Sequence, residues 1–183
     1  MTDKEAIERL KKGELGGLDA LVLAYQDKAI RTATLITRDE ELARDAVQET
    51  FYRIYRSIQG FNLDLPFEPY LLRSVVNTAI NLAEKARRQV PLNDEVALSE
   101  VEALIHQAAS TEDQVTYKLM KERIAAALDQ ISARERAVIV ERYYLELSEK
   151  EMAGLHEVAP GTIKWWLHNA RKHLRAFIGT END

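Results

Sequence analysis

From Ser148 to Arg175 the chain reads SEKEMAGLHEVAPGTIKWWLHNARKHLR, and its residue types fall into two sets at helical spacing. Ile163, Leu167, Ala170 and Leu174 recur at i, i+4, i+7 and i+11, one apolar stripe of a helix. Lys164, His168, Arg171, Lys172 and Arg175 make a second stripe, and no aspartate or glutamate lies between Pro160 and Arg175. Such a helix can pack on its own domain along one edge. Along the other it offers cations and hydrogen-bond donors to the phosphates and base edges of a DNA major groove. A surface helix with a solvated basic face would show the same charges, but the preceding residues favour DNA. Ser148 and Glu151 have the S-x-x-E spacing of a capping box, His156 to Ala159 interrupt the helical pattern, and Pro160 suits a first helical position. They spell a short helix, a tight connection and a second helix.

The elements that must carry this unit are helical as well. The chain has 183 residues, a net charge of −5, no cysteine, seven glycines and four prolines. The acidic balance argues against a nonspecific nucleic-acid coat and leaves room for a locally basic face. Without cysteine there is no disulfide and no thiolate metal site. The N-terminal MTDKEAIERLKKGELGG is charged and lacks an apolar signal core, and no apolar run approaches transmembrane length, so a soluble, cytoplasmic protein is expected. Leu18, Leu21, Val22, Tyr25 and Ala29 mark one amphipathic helix; another runs through LARDAVQETFYRIYRSI with Val47, Phe51, Ile54, Tyr55 and Ile58 inward. Gln59 to Pro69 is irregular, with Gly60, Pro66 and Pro69 as breakers. The next helix is predicted over roughly Tyr70 to Arg88, burying Leu72, Val75, Val76, Ala79, Leu82, Ala83 and Ala86 and turning Asn77, Asn81, Glu84, Lys85 and Arg88 outward. Gln89 to Asp113 holds six acidic residues and no lysine or arginine, and reads as a linker with a short helix around Leu98 to Ala108. Further on, Ser132 and Glu135 form a second capping pattern that opens the helix ARERAVIVERYYLEL. The expected fold class is all-α: two small helical domains, residues 1–88 and 114–183, joined by a flexible acidic linker, 89–113, with the helix-turn-helix in the second.

DAVQETFYRIYRSIQGF (Asp45 to Phe61), followed by FEPYLLRSVVNTAINLAEKARR (Phe67 to Arg88), resembles the N-terminal module of bacterial RNA polymerase sigma factors. LDQISARERAVIVERYYLELSEKEMAGLHEVAPGTIKWWLHNARKHLR resembles their promoter-binding C-terminal module. Two modules with a short linker resemble the small extracytoplasmic-function group, over almost the whole chain. The resemblance implies a transcription initiation factor that binds core RNA polymerase, directs it to specific promoter DNA and assists duplex opening. It implies no enzymatic activity and no cofactor or metal of its own. Asp45, Gln48, Glu49 and Tyr52, at i, i+3, i+4 and i+7, are implied to dock on the clamp helices of the polymerase's largest subunit, where carboxylates and amides accept hydrogen bonds from a basic surface. Phe61, Asn62, Tyr70, Asn77, Lys85 and Arg88 are implied to read the −10 element, aromatic rings stacking a splayed base and polar groups holding bases or phosphates. For Phe61 and Phe67 a core role anchoring the loop stays open, as does an ion-pair role for Arg73. Carried over by position, Thr162, Lys164, Trp165, His168 and Asn169 contact bases of the −35 element, and Lys150, Arg171 and Lys172 contact phosphates. Trp165 and Trp166 are adjacent and point in different directions; Trp166 is assigned to packing. An anti-sigma factor is a further implied partner. The linker, through Asp94, Glu95, Glu100 and Glu102, is implied to thread the channel that later carries RNA.

The chain departs from the family pattern at several positions. Tyr70 stands where tryptophan is common and Asn81 where aspartate is. Trp165 and Trp166 replace a small residue and an arginine. Glu157 and Ala159 replace the glycine and the proline or serine frequent in the turn before the recognition helix, and glutamate adopts a left-handed backbone far less readily than glycine. His106, His156, His168 and His173 lack the spacing and the acidic companions of a metal site, so none is expected. No Gly-rich phosphate loop or nucleophile–base pair is present. The alternative reading is a sigma-like decoy that sequesters an anti-sigma factor. It would have lost DNA-contacting charge, and the basic residues of both modules stand against it.

Overall fold

The computed structural model describes residues 1–87 and 123–179, and the described residues hold helices and no strand. α1 (Asp3–Lys11) is an element that the hydrophobic pattern did not announce. It starts on a capping box in which Glu5 reaches back to the Thr2 amide at 2.8 Å, and it buries Ala6, Ile7 and Leu10. It lies so close to α2 (Gly16–Thr37) that a Cβ on Gly17 would sit 2.2 Å from the Ala6 carbonyl oxygen, which only glycine avoids.

α2, α3 (Glu40–Ser57) and α4 (Phe67–Arg87) pack pairwise into a bundle. Asp39 caps α3 by accepting from the Leu42 amide at 2.9 Å. Val47, Phe51, Ile54 and Ile58 of the expected inner stripe are buried, but Tyr55 is not: it lies one helical step beyond Ile54 and is turned to solvent beside Tyr52. In α4, Leu72, Val75, Val76, Ala79 and Ala83 are buried, while Leu82 and Ala86 are half-buried. α4 begins three residues before the expected start. Pro69 does not break it, because in the first turn the missing N–H would have had no partner.

Beyond a helical stretch at 123–130 come α5 (Ala133–Tyr143), α6 (Glu149–His156) and α7 (Pro160–Gly179). Both capping boxes form, with Ser132 and Ser148 amides donating to Glu135 and Glu151 at 2.9 and 2.8 Å. α5 is shorter than its sequence pattern. It stops at Tyr143 because Glu146 turns left-handed (φ 57°), and the Leu145 and Leu147 amides fold back onto Val140 and Glu141 carbonyls. The linker, its short helix and Arg88 lie outside the described residues.

α5 is shared by two cores. Ala133, Ala137 and Val140 join the apolar cluster of α1 to α4, whereas Val138 and Ile139 join Met152, Ala153, Ile163, Leu167 and Ala170. The two modules therefore touch, and the joint between them is built on two buried arginines. Arg136 donates to the carbonyls of Ile36 (2.5 Å), Leu128 (3.1 Å) and Ile131 (2.7 Å), which lie at or near the C-terminal ends of α2 and of the 123–130 helix. Burial, and then the like charge of Arg38, lower its pKa to about 10, so it stays charged at neutral pH. Arg38, 3% exposed and left-handed at φ 59°, pairs with Asp129 at 2.7 Å.

Replacing Arg136 with alanine leaves these carbonyls without donors in an enclosed place; a loss of about 3 kcal/mol in urea unfolding is expected. Lysine at this position should recover only part of it, since an ammonium lacks the fork that spans several acceptors. The capping boxes set the acid limb. Hydrogen bonds to Thr2 and Ser148 hold the Glu5 and Glu151 carboxyls below their ordinary 4.5. Burial pushes the Glu135 carboxyl up, but bonds from Ser132 and His173 outweigh it and leave it lowered too. Each contributes stability that is present above the unfolded carboxyl value and lost as pH falls through the lower folded one. The melting midpoint should drop as pH falls below 4.5, and less steeply in Ser132→Ala and Ser148→Ala variants.

Candidate nucleic-acid and polymerase interface

On α3 the residues Asp45, Gln48 and Tyr52 are exposed and Glu49 is half-buried, so the expected docking face is open along its length. Glu49 forms an ion pair with Arg53, and the Arg56 guanidinium lies over the Tyr52 ring at 6.0 Å. The face is acidic but edged by its own arginines.

The segment after α3 is held by an aromatic cluster. Phe61 lies 5.9 Å from Phe67 in an edge-on arrangement and 4.9 Å from Tyr70, and Tyr25 closes the set against Phe67 at 5.7 Å. Phe61 is only 9% exposed and Phe67 2%, which decides the open question for both. Their rings anchor the loop, and Phe61 is not free to stack a base here. Burial and the hydrogen bond to Asp3 raise the Tyr25 hydroxyl pKa far above its ordinary value, so it remains a donor. Of the expected contacts, Asn62, Tyr70, Asn77 and Lys85 remain exposed. The Asn62 side chain accepts from the Asp64 amide at 3.0 Å and shapes the loop.

In the helix-turn-helix, Ile163, Leu167 and Ala170 are buried, and Leu174 packs partly against them. Trp165 points outward, 62% exposed, whereas Trp166 packs on the second core between the His156 ring and the Arg134 guanidinium. Lys150, Lys164, His168 and Lys172 are exposed, and Thr162, Asn169 and Arg171 are half-buried. Two cations are less free than their sequence suggests. Lys164 lies 4.0 Å from Glu149, and Arg171 covers the Tyr143 ring at 5.9 Å with its Nε enclosed and unbonded. A cleft of 310 Å³ beside α7 brings Trp165 and Asn169 together with Arg134, which sequence reasoning did not single out.

Two histidines do have acidic companions, contrary to expectation: His156 meets Glu141 at 2.8 Å and His173 meets Glu135 at 2.5 Å. These are pairs; among the described residues no group of three suits a metal ion. Glu157 takes the left-handed conformation that the turn demands (φ 55°), and its carboxylate pairs with Arg73 of α4 at 2.9 Å. Among the described residues no helix is long and apolar enough to cross a membrane.

A helical module with an exposed acidic helix face, followed by a helix-turn-helix whose second helix lacks acidic residues over its first four turns, has the architecture of a two-part DNA-binding protein. Residues 21–89 match Sigma-70 region 2, and residues 121–174 match Sigma-70, region 4. The chain belongs to the sigma-70 family, in its extracytoplasmic-function (ECF) group. It is 28% identical over 179 residues to the ECF RNA polymerase sigma factor SigW of Bacillus subtilis, covering 96% of each chain. It is 27% identical over 180 residues to the ECF RNA polymerase sigma-E factor of Escherichia coli, covering 95% of this chain and 93% of that one. The fold is similar to that of CnrH, solved in complex with the cytosolic domain of CnrY (TM-score 0.66, 19% identity, 98% of this chain and 99% of that one). It is also similar to the sigma factor RpoE solved with the anti-sigma factor NepR from Bartonella quintana (TM-score 0.63, 20% identity, 90% and 98%).

The turn yields a stability test. A left-handed non-glycine residue costs about 1 kcal/mol, and the ion pair that Glu157 gains is on the surface, where such pairs contribute little. Glu157→Gly should raise the melting midpoint by about 2 °C in a thermal scan.

Proposed function

We propose that the chain directs core RNA polymerase to promoters through three surfaces: Asp45, Gln48, Glu49 and Tyr52 for the polymerase; Asn62, Tyr70, Asn77, Lys85 and Arg88 for the −10 element; and Lys150 with the outward face of α7 for the −35 element. On this reading residues 1–88 form the polymerase and −10 module, 89–113 the connector and 114–183 the −35 module. The observation that carries it is the pairing, on one chain, of an open acidic α3 face with an open recognition helix free of acidic residues from Pro160 to Arg175. Catalysis and its metal ions belong to the polymerase, and the site of action is the cytoplasm, where polymerase and chromosome are. An anti-sigma factor is the further partner, supported by the two similar folds, each solved with a partner protein, named in one case as an anti-sigma factor.

The test is co-elution with bacterial core polymerase followed by transcription of a native-genome template. Assembly with discrete initiated transcripts is expected, and Asp45→Ala/Gln48→Ala/Glu49→Ala should weaken assembly about tenfold. Assembly without any promoter-specific transcript would leave a decoy in its place.

The docked arrangement adds a requirement. Arg73 and Glu157, 2.9 Å apart, tie α4 to the start of α7. Elements centred about 25 base pairs apart, at roughly 3.4 Å each, are separated by about 85 Å of duplex. Both cannot be read while the ion pair holds, so the modules must part on the promoter. The chain has no cysteine of its own, so a reducible bis-maleimide linker can join Arg73→Cys/Glu157→Cys specifically. Cross-linked, this variant should lose promoter-specific transcription and regain it when the linker is cleaved; full activity when cross-linked would contradict the parting.

A further inference from the structure

We propose that Glu141 and His156 form a positioning pair that sets the angle of the recognition helix α7, and through it the selectivity of −35 reading. The inference rests on the proposed function and assigns a role to two residues that do not touch DNA. The Glu141 side chain is 2% exposed and the His156 side chain 8%. The imidazole Nε2 lies 3.0 and 2.8 Å from the two carboxylate oxygens, close enough for a proton on that nitrogen to be shared between them. An enclosed carboxylate is costly unless a partner group meets it, and the group that meets this one, at both oxygens, is the His156 imidazole.

The pair sits at the end of α6, beside an apolar core in which α5, α6 and α7 all meet. α6 spans two turns and buries only Met152 and Ala153. His156 is its last residue, and only Glu157, Val158 and Ala159 separate it from α7. Whatever fixes His156 therefore fixes the start of the recognition helix. The imidazole also stands edge-on to Trp166 of α7, ring centres 5.4 Å apart at 90°, and the same indole lies under the Arg134 guanidinium of α5 at 5.8 Å. The contacts run from Glu141 on α5 to His156 on α6 to Trp166 on α7 and back to Arg134 on α5. Apolar burial is non-directional in itself, whereas a bridge to both carboxylate oxygens has a preferred direction. Trp166 adjoins the outward Trp165, so a tilt of α7 about this contact redirects Trp165, His168 and Asn169 together.

Other charged groups on the packed elements are engaged elsewhere or exposed. On α5, Arg142 donates to the Leu147 carbonyl and Arg134 is half exposed; on α7, Lys164 is exposed near Glu149. On α6, Lys150 and Glu151 face solvent, and the neighbouring Glu157 pairs with Arg73.

The test uses assembled holoenzyme on a promoter with an intact or a scrambled −35 element, and reads the ratio of transcription between the two. Glu141→Leu/His156→Leu replaces the pair with apolar side chains and should fold, since such exchanges are commonly neutral for stability. Its ratio should be about tenfold lower than that of the wild type, while co-elution with core stays constant. A conservative variant separates direction from packing: His156→Gln, whose side-chain amide can still donate to the Glu141 carboxylate, should recover most of the ratio. A double-leucine variant that keeps the wild-type ratio overturns the inference, as does a His156→Gln variant no better than the double-leucine one. Failure of wild-type assembly or of all promoter-specific transcription would instead sink the underlying function.

Discussion

A guanidinium can serve several acceptors at once only if they converge on its plane, and the joint of this molecule is arranged around that demand. Helix ends leave carbonyl groups without partners. Here the ends of α2 and of the 123–130 helix come together, and Arg136 donates to Ile36, Leu128 and Ile131 in the space between them. Its positive charge also suits the negative ends of those helix dipoles. The cost is a second arginine close by. Arg38 closes α2 in a left-handed conformation, its charge opposes that of Arg136, and Asp129 offsets it. A lysine pair or an apolar plug would leave carbonyls unmet, so the polar character of the joint follows from the way the helices end there.

Everything that reads DNA in the second module hangs from α5, the helix that carries Arg136. One face of α5 supplies Ala133, Ala137 and Val140 to the first module's core, and the next supplies Val138 and Ile139 to the helix-turn-helix. α6 is short, and the recognition helix packs on α5 as well through Ile163, Leu167 and Ala170. Directional contacts add to that packing: capping at Ser148, the Glu141–His156 bridge, and the turn at Glu157. The module is thus apolar where it needs only cohesion and polar where it needs an angle.

Most of the helices were legible because they bury one side. The stripe Val47, Phe51, Ile54, Ile58 and the stripe Ile163, Leu167, Ala170 both lie inward, and both S-x-x-E patterns are capping boxes. α1 escaped notice although Thr2 and Glu5 have the related T-x-x-E spacing, because its charged residues hide a buried stripe of only Ala6, Ile7 and Leu10. Phe61 could not be assigned from sequence, since an aromatic residue beside a loop serves a core and a base equally well until its neighbours Phe67 and Tyr70 are placed. The pairs His156–Glu141 and Arg73–Glu157 join residues 15 and 84 positions apart, and no periodicity reports such contacts.

The recognition helix itself shows how a protein of net charge −5 can serve as a promoter-reading subunit with only a small basic footprint of its own. Of its cations, Lys164 is drawn toward Glu149 and Arg171 is folded over Tyr143, which leaves Lys172 and Arg175 as the basic side chains most open to phosphate. Nonspecific affinity grows with the number of phosphates neutralised, so a footprint this small gives weak, strongly salt-sensitive binding when the module acts alone. Held on a polymerase that already grips the duplex, the same helix works at a high effective concentration and needs only to discriminate. Outward Trp165, His168 and Asn169 are suited to discrimination, because shape and hydrogen bonding, unlike charge, differ from one base pair to the next. The scarcity of free positive charge on α7 therefore favours reading the promoter only from within the holoenzyme.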